Sequence, residues 1–188
     1  MIREHLFCSV NYMNKLIKHY ENVALSNQDI FKKVHGRVNI EVYPNLYKYR
    51  SIDELLGPYG ACILLFESKP SYGHWVLIFK LSNSKLEFFN PYGGYPDDTL
   101  LYIDDSFRKK TRQLKPRLSL LMLNSPYELS YNEFAFQKHK GDIKTCGRHC
   151  IVRLLCRNYN LYEYKALLDR LSKQYKMNYD EIVTALTV

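Results

Sequence analysis

Apolar and polar positions alternate along the chain in three regimes. The first fifty residues are polar and read as helical. Ser26-Asn27-Gln28-Asp29 has the form of a capping box, in which the serine hydroxyl and the acid three residues later satisfy each other's backbone N–H groups. It predicts a short helix through Val34 that Gly36 stops. Ser51-Ile52-Asp53-Glu54 is a second such start, ended by Gly57-Pro58. From residue 61 the pattern becomes that of strands. Ala61 to Phe66 is a continuous apolar run of buried-strand length. His74 to Leu81 and Lys85 to Asn90 are two more, separated by Ser82-Asn83-Ser84, which reads as a hairpin turn. After the loop Pro91 to Asp98 and a polar stretch, Arg117 to Leu123 reads as a fourth strand and Asn132 to Phe136 as a short fifth. From Gly147 the period turns helical: Ile151, Leu154, Leu155 and Asn158 share a face, predicting a helix over Gly147 to Arg157 with Cys146 at its N-terminal end. Leu161 to Tyr175 and Tyr179 to Leu186 follow as two more helices.

These elements sum to an α+β fold, with a central mixed or antiparallel sheet and helices at both ends. A chain of 188 residues suits one domain with a core of its own. Within residues 1–188 the pattern divides into a helical N-terminal part (1–58), a sheet (59–145) and C-terminal helices (146–188).

Charge and cysteine usage narrow the functional classes. The net charge of +8 favours polyanionic partners, nucleic acid first, and the excess is concentrated. Arg108, Lys109, Lys110, Arg112, Lys115 and Arg117 form a run without an acid, read as a solvated loop or strand edge and as a candidate phosphate-contacting strip. Met1 to Tyr12 holds no apolar stretch of the length a secretory leader needs. The longest apolar run, Ala61 to Phe66, is far too short to cross a bilayer, so no membrane partner is expected. Five cysteines (Cys8, Cys62, Cys146, Cys150, Cys156), odd in number and with three crowded together, argue against a disulfide framework and for a reducing compartment. Cys146, His149, Cys150 and Cys156 have the side chains zinc prefers, but no paired Cys-x-x-Cys knuckles. No metal or other cofactor is expected. The 17 tyrosines fit a Tyr-lined groove as well as they fit a compositional bias.

Three groups stand where thiol chemistry needs them. Cys146 lies at a predicted helix N-terminus, where free N–H groups and the helix dipole favour a thiolate, and Gly147 lets the backbone turn tightly into that helix so that N–H groups can face a substrate carbonyl. His74 begins a predicted strand, and Asn90 ends its hairpin partner. A turn at 82–84 sets the two roughly opposite, so that Asn90 can accept from one imidazole nitrogen and fix the ring's tautomer. Gln137 offers an amide N–H to an oxyanion beside the Cys146 N–H.

Gly73-His74-Trp75, Asn90-Pro91-Tyr92-Gly93, Gln137 and Cys146-Gly147 occur in this order. The set resembles the adenovirus maturation protease and its relatives in the SUMO-protease clan of cysteine peptidases, over roughly residues 60 to 160. The resemblance implies a papain-like cysteine protease fold of the adenovirus protease type. It implies His74 as general base, Asn90 as orienting partner, Gln137 as oxyanion donor, Cys146 as nucleophile and Trp75 as a wall of the site. Many relatives carry a carboxylate where Asn90 stands; Asp97 and Asp98 are the nearest alternatives. The resemblance further implies a viral source of the virophage, polinton-like or large-DNA-virus kind. The expected partners are viral precursor polypeptides as substrates, an activating peptide, and DNA through the basic surface. The expected location is the virion and the host cytoplasm or virus factory. A peptidase acting on host ubiquitin-like modifiers and a catalytically silent basic DNA-binding virion protein are the alternatives.

Overall fold

The computed structural model describes residues 13–188, so that Cys8 lies outside the described residues. Five strands form one mixed sheet: β1 (Asn39–Val42), β2 (Ala61–Lys69), β3 (Tyr72–Lys80), β4 (Lys85–Phe89) and β5 (Glu128–Tyr131), in that spatial order. β2, β3 and β4 form an antiparallel meander, and the outer strands β1 and β5 join it in parallel. The helices are α1 (13–21), α2 (Asn27–Lys33), α3 (Ile52–Leu56), α4 (Asp105–Lys110), α5 (Arg117–Leu123), α6 (Cys146–Leu155), α7 (Leu161–Tyr175) and α8 (Tyr179–Ala185).

Strand alternation divides the core in two. Ala61, Ile63 and Leu65 of β2 and Trp75, Leu77 and Phe79 of β3 pack on the side of α2, α6, α7 and α8. Cys62, Leu64, Phe66, Val76 and Ile78 pack on the side of α3 and α5. Burial on both faces explains why these strands read as unbroken apolar runs and not as alternating ones.

The capping box at Ser26 forms as its sequence predicts, with Asp29 accepting from the Ser26 N–H. Ser51 caps α3. The three C-terminal helices also occur, α7 over the predicted residues. Two strands were misplaced. Arg117 to Leu123 is a helix: Leu118, Leu121 and Met122 face the core at helical spacing, while Leu120 and Leu123 are exposed. A run in which five of seven residues are apolar hides that periodicity. Residues 132–136 are not a strand either; β5 ends at Tyr131. There the Asn132 side chain takes over the ladder, accepting from the Asn90 N–H at 3.0 Å and donating to the Asn90 carbonyl at 2.7 Å. Nor is the N-terminal part wholly helical, since it contributes β1, and the 59–145 segment contains two helices beside its strands.

α6 is buried along its length from Cys146 to Leu154, with no solvated face for its polar residues. Each basic side chain therefore meets a partner from another element. Arg148 donates to the Thr187 hydroxyl at 2.9 Å, and His149 pairs with Asp180 at 3.0 Å. Arg153 makes a two-pronged pair with Glu87 of β4, both bonds 2.7 Å, and donates also to the carbonyls of Cys156 and Tyr159. The rings of Phe79 and Tyr164 lie near its guanidinium, 4.9 and 5.0 Å away. Burial pushes the Glu87 carboxyl up, and the Arg153 bonds pull it back. Loss of one partner from such a buried pair costs about 3–5 kcal/mol, because the other charge is left uncompensated.

Two glycines set close approaches. A Cβ on Gly73 would lie 1.9 Å from the Phe66 carbonyl oxygen, a clash with backbone that no rotamer relieves. A Cβ on Gly147 would meet Trp75 at 3.3 Å and Ile30 and Leu25 only slightly farther away. Gly147 sits inside α6 with an ordinary negative φ, so its role is close helix-to-strand packing and not the tight turn expected of it. Gly73→Ala is therefore expected to lower stability by about 3 kcal/mol or more. Gly147→Ala, with the roughly 1 kcal/mol helix-propensity gain of alanine set against a tight contact, should stay within about 1 kcal/mol of the wild type. Urea unfolding of the two variants checks the contrast, and equal losses would contradict it.

Candidate active site

The cleft lies off the end of the sheet where β3 begins, so side chains from both sheet faces border it. His74, Trp75, Tyr92, Gln137 and Cys146 all line this cleft, which encloses about 260 Å³. Residues from four separated sequence segments are thus brought together.

The hairpin register differs from the one inferred from the turn. Leu77 pairs with Phe89 and Ile78 with Phe88, which sets position 76 against 90 and 74 against 92. His74 and Asn90 are diagonal, two residues out of direct opposition but on the same face, within reach of long side chains. Their bond forms: His74 Nε2 to Asn90 Oδ1 is 2.7 Å. Its direction is determined by a second contact. The Tyr92 backbone N–H, which can only donate, points at the same Oδ1 at 3.0 Å. That atom is therefore the amide oxygen, and Nε2 must carry the proton. The neutral imidazole is thereby held as the tautomer whose Nδ1 lone pair is free to take a proton. Asn90 itself is clamped through its backbone by Asn132. The alternative carboxylates are engaged elsewhere: Asp97 accepts from the Tyr43 hydroxyl and the Ser119 N–H, and Asp98 from the Tyr95 N–H.

Cys146 is the first residue of α6 and nearly buried. Burial pushes its thiol up, while the backbone N–H groups of Trp75, Gly147 and Cys146 itself pull it down less strongly. Desolvation also carries the His74 imidazole down to about 4, against the upward pull of the Asn90 bond. Both shifts favour the neutral forms, a thiol at Cys146 and an imidazole at His74. The helix terminus does not give the standing thiolate expected of it, because a contribution of a few tenths to about 1 kcal/mol from a helix end is outweighed by desolvation.

Gln137 is placed by the Pro91 carbonyl, which accepts from the backbone N–H groups of Phe136 and Gln137 at 2.8 and 2.9 Å. Its amide reaches the cleft, with Nε2 bonded to the Ile143 carbonyl and the Tyr92 hydroxyl, both at 3.2 Å. Trp75 walls the cleft as expected, its indole N–H donating to the Leu25 carbonyl at 3.2 Å.

Three features escaped the sequence. Tyr92 stacks on His74, with ring centroids 4.5 Å apart and planes at 14°, and is covered on its other side by His139 at 4.2 Å. The motif Asn90-Pro91-Tyr92-Gly93 contained this residue, and the register would have paired it with His74. Asp180 of α8 is the second. Its carboxylate accepts from the Thr145 hydroxyl at 2.5 Å, from His149 and from the Lys138 N–H at 3.1 Å, so one carboxylate holds the residues flanking Cys146 and Gln137. Burial raises that carboxyl, but the three donors, led by His149, hold it below the usual carboxylate range. Its only local signal is its place beside Glu181 in the first turn of α8, where acids favour a helix start. Asn132 is the third, a buried amide with no local sequence signature.

Among the described residues no three His, Cys, Asp or Glu side chains are arranged to hold a metal, and Cys150 is turned to the Trp75 carbonyl. The basic strip is helical in part, with Lys109, Lys110, Arg112 and Lys115 exposed. Arg108 does not belong to it: its side chain donates to the Leu100 carbonyl, pairs with Asp105 and is mostly buried. No helix among the described residues is long and apolar enough to cross a membrane.

No family model matches the chain. It is 51% identical over 174 residues to the uncharacterized protein V9 of Sputnik virophage, an alignment covering 93% of this chain and 99% of that protein. The chain therefore belongs to a family of viral proteins that includes V9 of Sputnik virophage.

Proposed function

We propose that the protein is a cysteine endopeptidase with Cys146 as nucleophile, His74 as general base and Asn90 as the residue that orients it. The observation that carries this reading is the shared oxygen of Asn90. It accepts from both His74 Nε2 and the Tyr92 N–H, and so leaves Nδ1 unprotonated on a residue that lines the same cleft as Cys146. The chemistry follows from the neutral resting pair. As Sγ attacks the scissile carbonyl carbon, its proton passes to Nδ1; the resulting imidazolium gives that proton to the leaving amine, and water hydrolyses the thioester. The reading brings with it the papain-like fold of the adenovirus protease type. It also brings a role in processing capsid or core precursors within the virion or virus factory, in keeping with a viral family.

A peptide vinyl sulfone should label the wild type at Cys146, and His74→Ala should slow labelling by about 10²-fold or more. Precursor proteins from the same genome should be cut by the wild type and left intact by Cys146→Ala. No labelling of the wild type, or labelling undiminished in His74→Ala, would contradict the proposal.

A second reading, nucleic-acid binding, rests on the exposed Lys109, Lys110, Arg112 and Lys115 together with the net charge of +8. It is compatible with catalysis, since DNA contact would concentrate the enzyme near packaged substrates. Duplex DNA affinity should fall steeply between 50 and 200 mM salt, by about tenfold or more if three or four phosphates are contacted. An affinity indifferent to salt would remove this reading.

A further inference from the structure

Gln137 has two amide hydrogens, and both are engaged. One goes to the Ile143 carbonyl, which can only accept and so fixes the orientation of the amide; the other goes to the Tyr92 hydroxyl oxygen. Its own Oε1 is buried and has no partner among the described residues. In this arrangement Gln137 has no N–H left to offer a substrate.

Tyr92 is in the opposite condition. Its hydroxyl oxygen accepts from Gln137, while its O–H is donated to no group among the described residues. It borders the same cleft as Cys146 and His74. The ring is fixed on both faces, by His74 at 4.5 Å and His139 at 4.2 Å, and the backbone N–H is tied to Asn90. A donor held this firmly needs no reorganisation when charge develops. The bond received from Gln137 also polarises the phenol and strengthens it as a donor. Burial first, and the neighbouring Cys146 second, push the phenol up to about 12, so the proton stays in place at neutral pH.

We infer that the Tyr92 hydroxyl is the side-chain donor to the oxyanion in this site, and that Gln137 acts through it as a positioning residue. The inference rests on the cysteine-peptidase reading. When Sγ bonds to the carbonyl carbon, the C=O π pair moves onto oxygen. That oxygen accepts hydrogen bonds from Tyr92 O–H and from the Cys146 N–H, which as the first N–H of α6 has no carbonyl within its helix to bond. Tyr92 keeps its proton throughout. Collapse of the intermediate restores C=O, and the amine leaves with the proton carried by His74.

The test compares two thiol reagents on wild type, Tyr92→Phe and Gln137→Ala. A small peptide aldehyde forms a thiohemiacetal whose oxygen occupies the oxyanion position; its affinity is read from the fluorescence of Trp75, the single tryptophan. Iodoacetamide alkylates the same sulfur without forming an oxyanion. Tyr92→Phe keeps the ring stack, so its alkylation rate should stay within about twofold of wild type, while aldehyde affinity falls by about tenfold to a hundredfold. Gln137→Ala should weaken aldehyde binding less, and add little to Tyr92→Phe. Aldehyde affinity unchanged in Tyr92→Phe, or both reagents affected equally, would overturn the inference and leave the peptidase reading standing. A wild type that neither binds the aldehyde nor is alkylated at Cys146 would overturn both.

Discussion

The seating of α6 against β3 is the contact on which the rest of the structure depends. At one end the absence of a side chain at Gly147 lets the helix approach Trp75, with a Cβ there predicted to fall 3.3 Å from the indole. At the other end Arg153 is locked to Glu87 of β4 by two 2.7 Å bonds. Between these anchors the helix has no solvated side, so every polar residue on it had to find a partner from another element. The partners are α8 through Asp180 and the C-terminal segment through Thr187. Fixing the helix in this way fixes its first residue, Cys146, at the cleft beside the start of β3.

The same burial decides the electrostatics. A helix N-terminus and three nearby backbone N–H groups favour a thiolate, and a hydrogen bond to Asn90 favours an imidazolium. Both are outweighed by desolvation, which raises the Cys146 thiol and lowers His74 to about 4. Asn90 supplies geometry without charge, so nothing offsets that penalty as a carboxylate would. Under the proposed peptidase reading, the proton would move at the moment of attack, with no preformed ion pair beforehand. Its donors are placed by shared acceptors: the Asn90 oxygen, the Pro91 carbonyl and the Asp180 carboxylate each hold two or more groups.

Much of this was legible in the chain, where local chemistry and tertiary structure agree. The capping box at Ser26, the serine cap at Ser51, the apolar runs of β2 to β4 and the helical period after Cys146 act over a few residues, and they formed as read. Arg117 to Leu123 failed because a nearly all-apolar septet fits a strand or a helix, and only the packing of Leu118 and Met122 distinguishes them. The short strands β1 and β5 are held by their neighbours more than by their own residues, which are only half-buried or exposed. Motif order was enough to group His74, Trp75, Gln137 and Cys146, which line one cleft, but not to tell how each is bonded there. Whether Gln137 has a free N–H depends on Ile143 and Tyr92, and whether Cys146 is charged depends on how much of the protein closes over it.

The pH dependence of Cys146 alkylation by iodoacetamide tests the central claim, a neutral cysteine–histidine pair, most directly. With His74 neutral down to about pH 4 and the thiol raised above its ordinary value, the rate should climb about tenfold per pH unit from pH 5 to 8 without a plateau. A rate already flat across that range would show a standing thiolate–imidazolium pair and contradict the account.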